Sequence, residues 1–151
     1  MAGPFTGAKS NYLETSILDH VLGVAAFTAP TALHLGLTIQ DPTESGAYEA
    51  LYEPGPIAGT GGYNRAVVTT EFDAAAVGTV LGQTIGATST MTGTITYGAA
   101  SLDWGTITHW GLYDAATAGN MLYYGEFTTA KAINSGDTVQ ISSGDLTIEE
   151  R

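Results

Sequence analysis

The sequence predicts an all-β protein, an antiparallel β-sandwich of jelly-roll or Greek-key type with about seven or eight strands. Three observations support this. Apolar and polar residues alternate with a period of two in most segments after residue 32, for example Leu33, Leu35 and Leu37 against His34 and Gly36. Turns rich in Gly, Asn and Asp separate these segments. No second amphipathic segment of helical length lies between them to serve as a crossover helix.

The predicted strands follow one another at short intervals. Ala115–Asn120 is expected to turn between two of them, which would then form an antiparallel hairpin. The predicted strands are Ala32–Gln40, Tyr63–Phe72, a short strand within residues 74–88, Thr90–Tyr97, Thr106–Asp114, Met121–Thr128, Thr138–Ser142 and Leu146–Glu149.

The first part of the chain is predicted to be an arm followed by a helix. Residues 1–10 lack periodicity and are read as an extended N-terminal arm, residues 11–24 as one short amphipathic helix, and residues 25–151 as a single β domain. Asn11 is the expected cap, with Glu14 three residues later. The apolar stripe of the helix, together with Phe5 of the arm, is predicted to contact partner subunits. Its residues are Leu13, Ile17, Leu18, Val21 and Leu22.

Composition and charge argue against nucleic-acid and membrane partners. The net charge of −11 opposes binding to nucleic acid or to an anionic membrane surface, so neither is expected as a partner. Only 13% of residues are charged, well below the usual quarter, which suggests both a surface covered with Thr, Ser, Asn and Gly and surfaces buried against other subunits. The chain has no cysteine. The most apolar stretch, Val21–Leu37, is interrupted by Gly23, Pro30 and His34 and is not expected to span a membrane.

A long irregular segment, residues 43–62, separates the first two predicted strands. Connections of this length are uncommon in compact domains and often form interfaces. Tyr48, Leu51 and Tyr52 are therefore predicted to contact a partner subunit.

No catalytic or metal-binding constellation is evident, so neither an enzyme, a metal site nor a cofactor is expected. The three histidines, His20, His34 and His109, show no ligand spacing, and we interpret them as surface or half-buried residues. Three carboxylates that could form an acid pair are better explained as turn residues or as part of a solvated strand face. They are Asp103, Asp114 and Glu126.

Aromatic residues cluster in the C-terminal half, and two interpretations remain open. Trp110, Tyr123 and Tyr124 could form an exposed patch that binds glycans. Alternatively, they pack across neighbouring strands in the core or in an interface, which the usual behaviour of aromatic residues favours.

Several motifs resemble a family of small virion structural proteins of tailed bacteriophages, variously tail-fibre-like or accessory. The resemblance rests on WGTITHWGLYD at residues 104–114, GNMLYYG at 119–125, NSGDT at 134–138 and GDLTI at 144–148. LDHVL at 18–22, PTALHLGL at 30–37 and GGYNRA at 61–66 fit the same pattern. The resemblance covers most of the chain and implies a virion β-protein without enzymatic activity.

Two locations on the virion are compatible with this resemblance. A small domain with an arm and an apolar helix resembles head-decoration (cement) proteins, which are commonly trimers, so our leading expectation is a homotrimer that binds the major capsid protein. The alternative is a tail, tail-fibre or baseplate accessory that binds tail proteins and contacts host surface glycans. Both place the protein in the virion, assembled in the bacterial cytoplasm.

Overall fold

A computed structural model describes residues 7–46, 53, 61–80 and 83–150, and these residues are mostly antiparallel β-structure with one helix. In chain order, the elements are β1 (Gly7–Lys9), α1 (Asn11–Val21), β2 (His34–Thr38), β3 (Ala66–Val67), β4 (Ala76–Val80), β5 (Gln83–Thr90), β6 (Ile95–Thr96), β7 (Gly105–Tyr113), β8 (Met121–Ile133), β9 (Gln140–Ile141) and β10 (Thr147–Glu150).

The largest sheet has five strands in the order β1-β8-β7-β2-β3, all antiparallel. Its centre is the β7–β8 hairpin, which confirms the turn predicted over Ala115–Asn120. Asp114 stabilises that turn because its carboxylate accepts hydrogen bonds from the backbone and side-chain amides of Asn120 at 2.7 and 2.8 Å. Gly119 has a φ of 78°, which favours glycine.

Two smaller sheets complete the β-structure of the described residues. One has three strands in the order β10-β5-β4, and the other pairs β6 with β9. An isolated bridge joins Phe72 to Met91.

One hydrophobic core draws residues from all three sheets. Its members include Leu35, Leu37, Ile95, Ile107, Trp110, Leu112, Phe127, Ile133, Ile141 and Ile148. Tyr63 lies among them, with its ring stacked at 6.2 Å from Tyr97 and edge-on at 5.3 Å from Trp104. These separations are those of favourable aromatic pairs.

Several predicted strands differ from those observed. Within Tyr63–Phe72 only Ala66–Val67 forms a strand, because the chain then turns and Glu71 N–H donates to Val68 O at 3.1 Å; Phe72 makes only the isolated bridge to Met91. The strand predicted over Thr90–Tyr97 is divided: Met91 makes a bridge, and pairing resumes at Ile95.

Two further differences concern strand length and number. Residues 74–88, predicted to hold one short strand, contribute β4 and most of β5 as a hairpin. Strand β8 continues to Ile133, beyond the predicted end at Thr128, because its second half keeps pairing with the start of β7.

The N-terminal region also differs from its prediction. Residues 7–9 of the predicted arm form β1, which pairs with β8 from Gly7↔Gly125 to Lys9↔Tyr123. The helix begins at Asn11 as predicted, but its cap is Ser10, and it ends at Val21. Phe5 lies outside the described residues.

Candidate interaction surface

The start of α1 is fixed to the five-stranded sheet. Ser10 Oγ accepts a hydrogen bond from Leu13 N–H at 3.2 Å, which caps the helix, and donates one to Met121 O on β8. Ser10 N–H donates to Leu122 O at 2.9 Å. Leu13 is only 3% exposed, so the first turn of the helix is part of the protein's own fold.

The end of α1 is closed by its own backbone. Gly23 N–H donates to His20 O at 3.2 Å, and Val24 N–H donates to Asp19 O at 2.8 Å. Together with the φ of 74° at Gly23, these bonds form a Schellman motif. Phe27 N–H donates to His20 Nδ1 at 3.2 Å and holds the following segment beside the helix. The end of the helix is thus an ordered surface.

Four aliphatic side chains are exposed at this end of the helix. Leu18 is 57% exposed, Val21 73%, Leu22 66% and Val24 72%. We call these four residues the helix-end patch. Single exposed aliphatic residues are common on protein surfaces, but four of them between residues 18 and 24, on the last helical turn and the segment that closes it, are typical of an interaction site.

A cavity of about 270 Å³ lies beside this patch, between α1 and the segment that follows it. Its lining includes Tyr12, Asp19 and Phe27. The cavity offers a recess with one carboxylate next to an apolar surface.

The residues of the predicted apolar stripe on the helix differ in exposure. Leu18, Val21 and Leu22 are exposed, and Ile17 is half-buried. The prediction that Leu13 contacts a partner subunit is wrong, because Leu13 is buried within the chain's own fold. Sequence reasoning missed Val24, because it lies beyond Gly23, where the helical periodicity stops. Tyr48, Leu51 and Tyr52 lie outside the described residues, so their predicted role stays a prediction.

Of the two interpretations of the aromatic residues, the exposed patch is the one that does not form. Trp110 is fully buried in the core, so its predicted place on the surface is wrong. Its indole lies against Gly7, where an added Cβ would come within 2.5 Å of the ring. Tyr123 and Tyr124 are both half-buried, and as successive strand residues they point to opposite faces of the sheet.

Tyr123 joins a polar cluster at the boundary between two sheets. Its hydroxyl donates to Glu150 Oε1 at 2.5 Å, and Lys9 Nζ lies 2.6 Å from Glu150 Oε2. Burial raises the pKa of Tyr123, and the bond to Glu150 adds to the rise. This cluster connects β1 and β8 to β10.

A second polar cluster is buried and involves the long segment at residues 43–62. Arg65 makes a two-pronged ion pair with Glu53, with Nε–Oε1 at 2.8 Å and Nη2–Oε2 at 3.2 Å. Both side chains are 2% exposed. The other guanidinium arm donates to Ala115 O and Ala118 O in the β7–β8 turn at 3.0 and 2.8 Å. The guanidinium also lies 3.5 Å from the centre of the Tyr113 ring.

Tyr63 extends this buried cluster into the core. Its hydroxyl accepts a hydrogen bond from Leu37 N–H at 2.8 Å and donates one to Glu53 at 3.0 Å. Burial raises the pKa of Tyr63 well above its ordinary value, and the charge of Glu53 raises it further. The cluster therefore connects residue 53, the β7–β8 turn and β2 through hydrogen bonds between buried donors and acceptors.

The residues considered for metal binding and catalysis are dispersed. His20 lies on α1, His34 is buried on β2, and His109 on β7 bonds to Thr108. Within residues 7–46, 53, 61–80 and 83–150, no three His, Cys, Asp or Glu side chains converge as metal ligands would.

The three carboxylates occupy the structural positions that the sequence favoured. Asp103 accepts a hydrogen bond from Ser135 N–H at 2.8 Å, and Asp114 holds its own turn as described above. Glu126 is exposed on β8. Across the described parts of the chain, helical structure does not reach the length and apolarity that crossing a membrane requires.

The described residues define a mostly antiparallel β-protein with one helix, in agreement with the predicted fold class. A comparison with known families agrees: the family described as podophage GP4 fiber I protein gp80 matches residues 8–149. The chain belongs to this family, which confirms the predicted resemblance to tailed-phage virion structural proteins. No curated protein matches the chain.

Proposed function

We propose that this chain is a non-enzymatic structural subunit of the fibre or tail apparatus of a tailed phage, and that it attaches to a neighbouring virion protein through the helix-end patch. The observation that carries the proposal is the patch itself. Four aliphatic side chains are exposed on an ordered helix end in a member of a phage fibre family.

The family description favours the tail or fibre alternative over head decoration, which was the leading expectation from the sequence. It names a fibre protein of a podophage. The exposed helix end is compatible with either location, so our preference for the tail or fibre rests on the family match.

The helix-end patch has enough apolar surface to matter for assembly. Burying one aliphatic side chain contributes about 1.5–3 kcal/mol, so four residues offer several kcal/mol against the cost of ordering an interface. Asp19 in the adjacent cavity suits a basic group at the edge of the partner's apolar contact. The proposed partners are tail proteins of the same phage and other copies of this chain.

The aromatic residues give little support to glycan binding as a second function. That alternative needed Trp110, Tyr123 and Tyr124 on one exposed face, and Trp110 is buried. We therefore propose protein contacts as the primary role.

We also propose that the sheets form the two layers of a β-sandwich. Leu37 from the five-stranded sheet, Ile148 from the three-stranded sheet and Ile141 from the two-stranded sheet share one core, which supports this arrangement.

Localisation in purified virions tests the proposed function. Labelled antibody or cryo-imaging should place the protein on the tail or its fibres, and fractions of separated tails should contain it. Detection on heads alone, or absence from purified particles, would overturn the proposal.

A further inference from the structure

The outer edge of β4 lacks a strand partner within the part of the chain that the structure describes. In the three-stranded sheet β10-β5-β4, β4 pairs with β5 on one side only. An unpaired edge presents backbone N–H and C=O groups that another strand can bind. Val77, the second residue of β4, is 70% exposed.

The sequence around β4 carries no charge. Residues 74–102 contain no Asp, Glu, Lys, Arg or His, and they contain no proline that would block strand pairing. The nearest charged residue along the chain is Asp73, ahead of the first β4 residue, Ala76. Edge strands that avoid pairing commonly carry Lys or Pro, and β4 carries neither.

The opposite edge of the same sheet is different. β10 holds Glu149 and Glu150, and Glu150 is bound to Lys9 and Tyr123. Strands in a sheet are spaced about 4.8 Å apart, so β10 lies about 10 Å from β4. Because the screening length at physiological salt is about 8 Å, the β10 carboxylates act only weakly at the β4 edge.

The distribution of charge over the molecule favours one kind of partner strand for the β4 edge. Two copies of a chain with net charge −11 repel each other, and the repulsion is weakest where an uncharged surface of one copy meets the same surface of the other. A basic partner, in contrast, would be drawn to the acidic surfaces elsewhere on the molecule.

We infer that β4 pairs with β4 of a second copy of this chain, antiparallel and about a two-fold axis. We place the axis beside Val77, ahead of the register shift, so that the contact is self-complementary and the two Val77 side chains lie opposite each other. The register shift between Val77 and Thr79 keeps the paired segment short. The contact is therefore weak in solution and is strengthened where many copies are held side by side. It is separate from the helix-end patch and independent of the proposed function.

A pair of valine substitutions tests this contact in the purified chain. Val77→Glu places like charges opposite each other across the two-fold axis. Val67→Glu is the matched control, because Val67 is 62% exposed on edge strand β3 and the variant has the same net charge. By analytical ultracentrifugation, Val77→Glu should weaken self-association by about tenfold or more, while Val67→Glu should match the unsubstituted protein. Equal association of the two variants, or an unsubstituted protein that stays monomeric at every soluble concentration, would overturn the inference.

Hydrogen exchange supplies a test that needs no variant. Amides of residues 76–80 should become more protected as protein concentration rises, while amides in the β7–β8 hairpin should not change. Protection of residues 76–80 that is independent of concentration would contradict pairing between copies.

Single cysteines then test the geometry, because the natural chain has none. Val77→Cys should form a disulfide-linked dimer under mild oxidation, and Val67→Cys should not. A trimer in solution, together with no cross-linked dimer in the Val77→Cys variant, would show that a different surface joins the copies. The homotrimer expected from the sequence would require such a surface, and this result would overturn the two-fold contact.

Discussion

The protein interior beside the five-stranded sheet and the end of helix α1 both depart from the usual distribution, in which charged groups are exposed and apolar groups are buried. The interior buries the charged pair Glu53–Arg65, whereas the helix end exposes the aliphatic residues of the helix-end patch. Each buried charge has partners within the chain, including two backbone carbonyls of the β7–β8 turn. The polar cluster is therefore explained by the fold, and the helix-end patch is best explained by contact with another molecule.

The two ends of α1 differ in burial: the first turn is packed against the sheet, and the last turn is exposed. Ser10 and Leu13 connect the first turn to β8, and from Leu18 onward the apolar residues face outward. One short helix thus serves the fold at its start and offers a surface at its end.

Removing the buried negative charge should give the largest effect. Glu53→Gln leaves the Arg65 guanidinium buried without its counter-ion, which costs about 3–5 kcal/mol of unfolding free energy. Urea denaturation measures the loss. Glu126→Gln is the control, since Glu126 is exposed, and it should change stability by less than about 0.5 kcal/mol. Similar losses for the two variants would mean that the ion pair does not hold the interior together.

Alanine substitutions at the two ends of α1 should differ in their effect on stability. Leu13→Ala creates a cavity beneath the first turn and should lower the unfolding free energy by about 2–5 kcal/mol. Leu22→Ala removes the same atoms from an exposed site and should change it by less than about 0.5 kcal/mol. Thermal unfolding of both variants checks the contrast, and a large loss in Leu22→Ala would place the helix end in the fold.

Alkaline pH should lower the unfolding free energy through two buried tyrosines. Burial raises the pKa of Tyr63 and of Tyr97, with the Glu53 charge adding to both, so the folded protein keeps these protons while the unfolded chain loses them near the ordinary pKa of about 10. The unfolded state then binds fewer protons, and stability falls as pH rises above about 10, by up to about 1.4 kcal/mol per pH unit for each tyrosine.

Denaturation measured at several values between about pH 8 and 11.5 checks this dependence. Tyr97→Phe should reduce the alkaline slope, although it also loses the bond from Tyr97 Oη to Leu35 O at 2.8 Å. An unchanged slope in this variant would show that Tyr97 does not contribute.

The sequence predicted the elements whose signals are local. The β7–β8 hairpin followed from period-two alternation on both sides of a turn containing Asp114 and Asn120, and α1 followed from its i, i+4 apolar ridge. The period-two alternation of apolar and polar residues also predicted that Leu35 and Leu37 lie in the core, which the structure confirms.

Features that depend on distant partners were not predictable. Nothing local distinguishes Glu53 from the other acids or indicates that it pairs with Arg65. The helical ridge could not separate Leu13 from Leu18, because only the position of β8 decides which is covered. Trp110 was considered for a surface because the sequence does not show that Gly7 and Gly125 lie next to it.

The smallest expected effect on stability belongs to the variant with the largest expected effect on assembly. Leu18→Asp should lower the unfolding free energy by no more than about 1 kcal/mol, because Leu18 is exposed and the main cost is that of an acid near a helix C-terminus. Leu102→Asp is a close control, since the exposed fractions are 57% for Leu18 and 54% for Leu102.

The amount of each variant in purified virions, measured by quantitative mass spectrometry, tests the central claim most directly. If the helix-end patch attaches the subunit, Leu18→Asp should be absent from particles while Leu102→Asp is present at the level of the unsubstituted protein. Incorporation of Leu18→Asp at that same level would contradict the account.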